Sequence, residues 1–460
     1  MIIYIMIIRQ FFIPGIAHSS YLLGGVSSCM IIDPARDPDI YLHAAEEEGF
    51  QIIGILETHL HADFISGHCD LHEITGAPIY APKSAACEFP HIPVHEGSTI
   101  PLDDCSISVI ETPGHTPEHV SYVVTHLSRG DEPVALFPGD TLFVGDVGRP
   151  DLFPGRAHEL AAALYDSLHK KILKLPDHCE VYPAHGAGSF CGRSLSAKRS
   201  TTIGYERRFN EVLQIQDKET FIDKLTKNMP PSPDHFSRCS DMNRRGPTLL
   251  SHLPPAKPIS PRTGKEILQE EAAGVLDTRR YDAFGSSHIP ASWNIDHEIN
   301  FSTFAGWVIP PDMKILLALH HPHEITKVLP MLHRVGIDQI IGYIDGGVAG
   351  WALAGNALDH VRTISVHELK SWINAEKDLI ILDVRTGGEY AGYHIPGSVN
   401  IHWPDLRHRY SELPHNKEII VMCATGARSS IACSILKRNG FSQIINVAGG
   451  YSGWIAAGYS

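Results

Sequence analysis

The sequence contains no long hydrophobic run, no basic tract and no regular spacing of cysteines, and each absence removes a class of protein. Its apolar opening, Met1 to Ile8, lacks both a basic lead and a cleavage site, and it is far shorter than the roughly 20 apolar residues a membrane-spanning helix needs. We read it as a strand running on through Phe11-Phe12-Ile13. Lysine and arginine number 38 against 52 acidic residues, a net charge of −14, which argues against nucleic acid or an anionic membrane as a partner. Nine cysteines, an odd number at irregular intervals, do not make a disulfide framework; reduced thiols in a cytoplasmic chain fit them better. Hydrophobic content of 43% with 20% charged residues describes a globular protein, and 460 residues are too many for one core.

What the chain does have is histidine, 29 in all, and part of it is ordered. Thr58-His59-Leu60-His61-Ala62-Asp63-Phe64-Ile65-Ser66-Gly67-His68 follows an apolar run, Ile52 to Leu56, short enough to be one buried strand. Alternate side chains on extended backbone share a face, so His59, His61 and Asp63 are expected to meet one site at the strand's end. Imidazoles with a carboxylate suit zinc, iron and other first-row metals. Three later strands run into His115, Asp140 and His185, each at a Gly/Pro turn. Any one of these alone reads as a surface or core residue; four strand ends in series read as a rim that gathers ligands. Around them, Ser20–Gly25 and Ser28–Pro34 look like a hairpin, and Asp39 to Gly49 like a helix stopped by glycine. Leu160, Leu164, Leu168 and Ile172 mark one face of another helix, with Pro176 after it.

Taken together, Thr58-His59-Leu60-His61-Ala62-Asp63, Thr112-Pro113-Gly114-His115-Thr116-Pro117, Phe137-Pro138-Gly139-Asp140, Gly148-Arg149-Pro150-Asp151 and Pro183-Ala184-His185-Gly186 resemble the persulfide dioxygenases. These belong to the metallo-β-lactamase superfold, an αββα sandwich with metal held at one edge. The resemblance implies a single Fe(II) held by His59, His115 and Asp140, with coordination positions open for oxygen and a sulfur substrate. It makes His61, Asp63 and His185 residues that orient ligands or hold water, direct ligation being the competing reading. Dinuclear members of the superfamily carry histidine where this chain has Phe64. A phenyl ring has no lone pair to donate, so one metal per chain is expected, with zinc as the alternative to iron. Arg149 resembles a family arginine that meets the anionic part of a thiol substrate, and Arg193 is a second candidate. Cys191 reads equally as a sulfur carrier beside the site and as a small buried apolar group.

A proline-rich stretch over residues 228–262 reads as a connector, partly packed on the first domain. Beyond it the sequence repeats. Leu276-Asp277-Thr278-Arg279 returns as Leu382-Asp383-Val384-Arg385, and His288-Ile289-Pro290 as His394-Ile395-Pro396. Gly346-Gly347-Val348-Ala349-Gly350-Trp351 returns as Gly449-Gly450-Tyr451-Ser452-Gly453-Trp454. Both copies resemble rhodanese domains. In the second, the strand Ile419 to Met422 runs into Cys423-Ala424-Thr425-Gly426-Ala427-Arg428, with a helix expected over Ile431 to Asn439. Loop amides and a helix N-terminus there would stabilise a thiolate and its persulfide, and Arg428 adds a positive charge. The phosphatase loop, which also runs from Cys to Arg, has one more intervening residue than this one. The first copy reads Leu319-His320-His321-Pro322-His323 at the matching place and has no cysteine, so it is expected to be structural or a docking domain. Cys433 is expected to be buried.

The expected architecture is therefore α/β and multidomain: an αββα sandwich over 1–245, a cysteine-less rhodanese-like domain over 257–358 and an active one over 362–460, the latter two with parallel sheets. The expected activity is oxidation of a thiol persulfide by O2 to sulfite, coupled to sulfane-sulfur transfer at Cys423 with sulfite or thiosulfate as partner. Two rivals stand beside it: a zinc thioester hydrolase of the glyoxalase II type fused to a sulfurtransferase, and a non-catalytic sulfur carrier or scaffold. Self-association is left open.

Overall fold

Two six-stranded sheets, each backed by helices, make the first unit of the computed structural model, which describes residues 6–459 except 194, 228, 230 and 271. The first sheet runs in chain order: Ile7–Ile13, His18–Gly24, Ser28–Ile32, Gln51–Leu56, Ile79–Pro82 and Ile92–Val94. The second runs Thr201–Thr202, Glu180–Val181, Pro133–Phe137, Val120–His126, Cys105–Glu111 and Thr99–Leu102. The expected hairpin is present, with Tyr21 opposite Ile32. Residues 1–5 of the strand expected over 1–8 lie outside the described residues; the rest belongs to Ile7–Ile13.

Period-two alternation builds the layers. Leu23, Met30, Ile32 and Leu56 of the first sheet pack against Ile107, Val109, Tyr122 and Val124 of the second. Their neighbours Leu22, Ile31 and Ile55 face the other way, onto Tyr41 and Ala44 of helix Pro38–Glu48 and Leu71 of helix His68–Thr75. Val123 and Leu136 meet Leu164 and Leu168 of helix Ala157–Lys170 on the far side. The expected leucine stripe is there, although Ile172 falls in the 3-10 turn that follows. Helix Pro38–Glu48 ends where expected, at Gly49 with φ 72°, a conformation glycine adopts without strain.

The stretch read as a connector is partly a folded element of this unit. Helix His235–Arg245 buries Phe236, Cys239 and Asn243. Its Pro-rich lead disguises it, and residues 228 and 230 lie outside the described ones. The first unit ends at Leu253, the second begins at Pro254, and the short segment His333–Gly336 belongs with the first.

The second unit holds two five-stranded, wholly parallel sheets of one topology. One runs Pro258–Ile259, Ile340–Ile344, Lys314–Ala318, Ala273–Asp277, Trp293–Asn294; the other Arg362–Ile364, Ile444–Val447, Glu418–Met422, Leu379–Asp383, Val399–Asn400. The repeated motifs are repeated bonding patterns. Arg279 and Arg385 grip Asp277 and Asp383 through Nε and Nη2. Asn294 Nδ2 bonds the carbonyls of Asp277 and Arg279, as Asn400 Nδ2 does those of Asp383 and Arg385. His288 stacks on Phe284 and His394 on Tyr390, each donating Nδ1–H to that residue's carbonyl at 2.9 Å. A Cβ on Gly450 would stand 2.1 Å from the Cys423 carbonyl oxygen, so this glycine lets the last helix close on the cysteine loop.

Candidate active sites

Strand Gln51–Leu56 stops just before the histidine motif, and the chain bends at Thr58 and His59 and again over Ala62, Asp63 and Phe64. The expectation that His59, His61 and Asp63 share a face at a strand end therefore fails. The loop sends them to three neighbouring clusters: His59 with His115 and Asp140, His61 with Asp33 and Glu57, and Asp63 with His185 and Cys191. Alternation holds only while the backbone is extended, and Asn243 holds this stretch in its bend. Its Nδ2 donates to the carbonyls of His61 and Phe64, and its Oδ1 accepts from Ser66 N–H. Nothing in the local sequence pointed to Asn243, since it lies 177 residues further on.

The first cluster has the properties of a metal site. His115 Nε2 lies 3.2 Å and His59 Nε2 3.9 Å from Asp140 Oδ2. All three residues are buried, and these three atoms have no hydrogen-bond partner among the described residues. Their other polar atoms are all held. His115 Nδ1–H donates to the Arg149 carbonyl at 2.9 Å. Thr58 gives its hydroxyl proton to Asp33 at 2.8 Å, so His59 Nδ1–H must donate to Thr58 Oγ1 at 2.9 Å. Both imidazoles thus present Nε2 lone pairs. Burial first, and histidine neighbours at His59, push both below the usual histidine range. Burial opposes the charge of Asp140, yet His185 and His115 outweigh it and keep the carboxyl ionised. Two neutral imidazoles and one carboxylate, buried, convergent and otherwise unsatisfied, fit a divalent metal.

Outside the three, His185 spans two carboxylates: Nδ1 lies 2.7 Å from Asp140 Oδ1 and Nε2 2.8 Å from Asp63 Oδ2. Burial works against its charge, but Asp140 and Asp63 together raise it well above the usual histidine range. Asp140 is oriented from the backbone side too, its N–H donating to His119 Nε2 at 3.0 Å. The sequence reading passed over His119; the His-Thr-Pro-Glu-His run was the available signal. His61 Nε2 lies 3.2 Å from Asp33 Oδ1. Phe64 is fully buried, its ring 4.1 Å from that of His18 and 4.5 Å from that of His61.

Of the two arginines expected to meet substrate, Arg149 is buried and Arg193 is half-buried, and both bond within the protein. Arg149 is 2% exposed; Nε and Nη2 hold Asp151 at 2.7 and 2.8 Å, and Nη1 donates to the Phe190 carbonyl. With its own carbonyl on His115, it braces a ligand instead of offering a guanidinium to an anion. Arg193 donates from Nη2 to the Lys227 carbonyl and from its backbone N–H to Asp146. Cys191 is buried beside Asp63 and His185, and burial raises its thiol well above the ordinary range. An open cleft of about 400 Å³ lies over the motif, lined by Leu60, Ala62, Pro117, Leu152 and Phe236, with Glu118 among its polar groups.

In the second unit Cys423 follows directly on strand Glu418–Met422 and is fully buried. Its Sγ accepts Gly426 N–H at 3.1 Å and lies 3.4 Å from Ser429 Oγ, whose hydroxyl proton goes to Asn446 Oδ1 at 2.6 Å. The helix after the loop is longer than expected, Ala427–Arg438, because Gly426 at φ 114° turns the chain straight into it. Cys433 on that helix is buried, as expected. Arg428 is not a lone charge: Nη1 and Nη2 hold Glu389 at 2.9 and 2.8 Å. Burial opposes ionisation of Glu389, but the Arg428 guanidinium and Thr386 bring its carboxyl down to about 2. A carboxyl depressed on folding contributes stability above its unfolded value, and that contribution is lost as pH falls towards the folded one. The melting temperature of this domain is therefore expected to fall between about pH 4.5 and pH 2, and Glu389→Gln to flatten that part of the profile in calorimetry.

All nine cysteines are free thiols, and no helix among the described residues is long and apolar enough to cross a membrane.

Comparison with known proteins agrees with this division. The metallo-beta-lactamase superfamily model matches residues 13–185, and the rhodanese-like domain model matches 260–354 and 365–457. The mitochondrial persulfide dioxygenase ETHE1 of Bos taurus is 30% identical over 248 residues, 52% of this chain and 88% of that protein. A hydroxyacylglutathione hydrolase of Methylobacillus flagellatus is 36% identical over 228 residues, 48% of this chain and 83% of that protein. A solved structure described as a metallo-beta-lactamase from Staphylococcus aureus shares 33% identity with a TM-score of 0.67, covering 74% of this chain and 98% of that one. The chain belongs to the metallo-beta-lactamase superfamily, its sandwich being of the persulfide dioxygenase kind and followed by two rhodanese-like domains.

Proposed function

We propose that this protein oxidises low-molecular-weight thiol persulfides with O2 at one Fe(II), held by His59, His115 and Asp140, and moves sulfane sulfur through Cys423. The observation that carries the reading is the convergence of His59 Nε2, His115 Nε2 and Asp140 Oδ2 as unpartnered buried atoms. Phe64, in a place where a second metal would need a donor, supports a mononuclear centre. Iron bound there would supply the redox chemistry and a point at which persulfide and oxygen meet. His185 would hold the second oxygen of Asp140, Arg149 would fix the ring of His115, and the apolar cleft would receive the thiol moiety. The overall change is RSSH + O2 + H2O to RSH, sulfite and two protons.

At Cys423 the thiolate would attack the outer sulfur of a donor, forming the cysteine persulfide and releasing a thiolate or sulfite. An acceptor thiolate or sulfite would then take that sulfur and regenerate the cysteine; with sulfite the product is thiosulfate. Gly426 N–H would hold the sulfur charge. We place the sandwich in 1–245, the cysteine-less copy in 257–358 and the active copy in 362–460, and sulfide detoxification as the setting.

The likeness to hydroxyacylglutathione hydrolases favours a second reading, thioester hydrolysis by zinc. An oxygen electrode with glutathione, coenzyme A and cysteine persulfides separates the two: consumption of O2 with sulfite release supports the oxygenase, and thioester hydrolysis without oxygen uptake supports the hydrolase.

A further inference from the structure

The two rhodanese-like copies share a unit, and the copy without a cysteine reaches the other's cysteine loop. An ideal Cβ built on Gly426 would stand 3.2 Å from Cζ and 3.3 Å from Cε2 of Tyr281, so the tyrosine ring lies against the Gly426 α-carbon. Gly426 is the residue whose N–H meets Cys423 Sγ, and its φ of 114° is a conformation other residues rarely adopt. Nearby, Asn294 of the cysteine-less copy meets the Ser430 hydroxyl at 2.6 Å, and Trp293 lies under the Arg438 guanidinium at 3.4 Å. Three residues from one copy therefore touch the loop and helix that carry the other's chemistry. The contact is not a by-product of the repeat. By the register that aligns Asp277 with Asp383 and Asn294 with Asn400, the place of Tyr281 is taken in the active copy by Gly387. The fold does not need a ring there.

We propose that Tyr281 is a positioning residue for the Cys423 loop: its ring holds Gly426 so that the Gly426 N–H stays on the sulfur. A peptide left to swing at φ 114° has no side chain of its own to restrain it; a ring against its α-carbon restrains it from outside. The cysteine-less copy would then persist as a wall of the active copy's site. This proposal rests on the sulfurtransferase reading of Cys423, but its structural half can be read independently of turnover.

The test uses the full chain with Tyr281→Ala and Tyr281→Phe. Hydrogen exchange of amides 424–429 is expected to quicken about tenfold in Tyr281→Ala, with strand 418–422 unchanged, and to stay at the wild-type rate in Tyr281→Phe. In thiosulfate-linked transfer, Tyr281→Ala is expected to lose roughly tenfold in kcat, the scale of one hydrogen bond to a charged group, with KM within about twofold. Tyr281→Phe keeps the ring and is expected to keep the rate. Loop exchange and kcat unchanged in Tyr281→Ala would overturn the proposal. So would equal losses in both variants, which would implicate the hydroxyl, or faster exchange of strand 418–422 together with the loop, which would make Tyr281 a general core residue. A wild-type protein without any transfer would instead sink the sulfurtransferase reading, while the exchange comparison would still decide the role of Tyr281.

Discussion

If the proposed function holds, His115→Ala is expected to lower persulfide-dependent oxygen uptake at least about 100-fold and to strip the metal, yet to leave sulfur transfer at Cys423 in place. The size follows from how the residue is held. Its Nδ1 proton goes to a carbonyl that can only accept, so the Nε2 lone pair has one use, and no neighbouring group is placed to replace it. His61, the nearest other imidazole along the motif, is held at Asp33, and His185 already bridges Asp63 and Asp140. Removal of residues that merely orient metal ligands commonly costs 10- to 100-fold, so loss of a ligand should exceed that. Metal content and an oxygen electrode check it together. A variant that keeps its metal and half its oxygen uptake would remove His115 from the site.

On the same proposal, Cys423→Ser is expected to abolish thiosulfate-linked transfer and to leave oxygen uptake at the wild-type rate. Serine keeps the shape and can take the same hydrogen bond from Gly426 N–H. It cannot form a persulfide, so the loss is chemical and not structural. Cys433, the other cysteine on this domain, is buried in the following helix and offers no substitute. Intact-mass analysis after incubation with thiosulfate should show one added sulfur on the wild type and none on the variant. Transfer at an unchanged rate would refute the assignment.

Much of the fold was legible because its signals are local. The alternation of Leu22 with Leu23 and of Val123 with Val124 assigns each strand two faces, and the paired Asp-x-Arg, His-Ile-Pro and Gly-Gly motifs each stand for a bond that closes within one copy. The strand ends singled out His59, His61, Asp63, His115, Asp140 and His185 alike, and it was the resemblance to persulfide dioxygenases that implied His59, His115 and Asp140 as the set. What could not be read depends on partners distant in sequence. Asn243 bends the motif loop from 177 residues away, so the expectation that His61 and Asp63 would share the face of His59 failed. Arg149 looked available to substrate because the sequence does not show that Asp151, two residues on, and the Phe190 carbonyl, 41 residues away, take its guanidinium. Arg428 looked like an isolated charge, but Glu389, 39 positions earlier, pairs with it. The helix at His235–Arg245 hid behind a proline-rich lead; Phe236, packed near Ala62 and Phe143, and the bonds of Asn243 tie it to the sandwich.

The central claim is one iron per chain doing oxygen chemistry on a persulfide. Protein prepared without oxygen should contain one iron per chain and little zinc. On addition of a thiol persulfide it should take up one O2 for each sulfite formed. Two zinc ions per chain, thioester hydrolysis and no oxygen uptake with any thiol persulfide would contradict it.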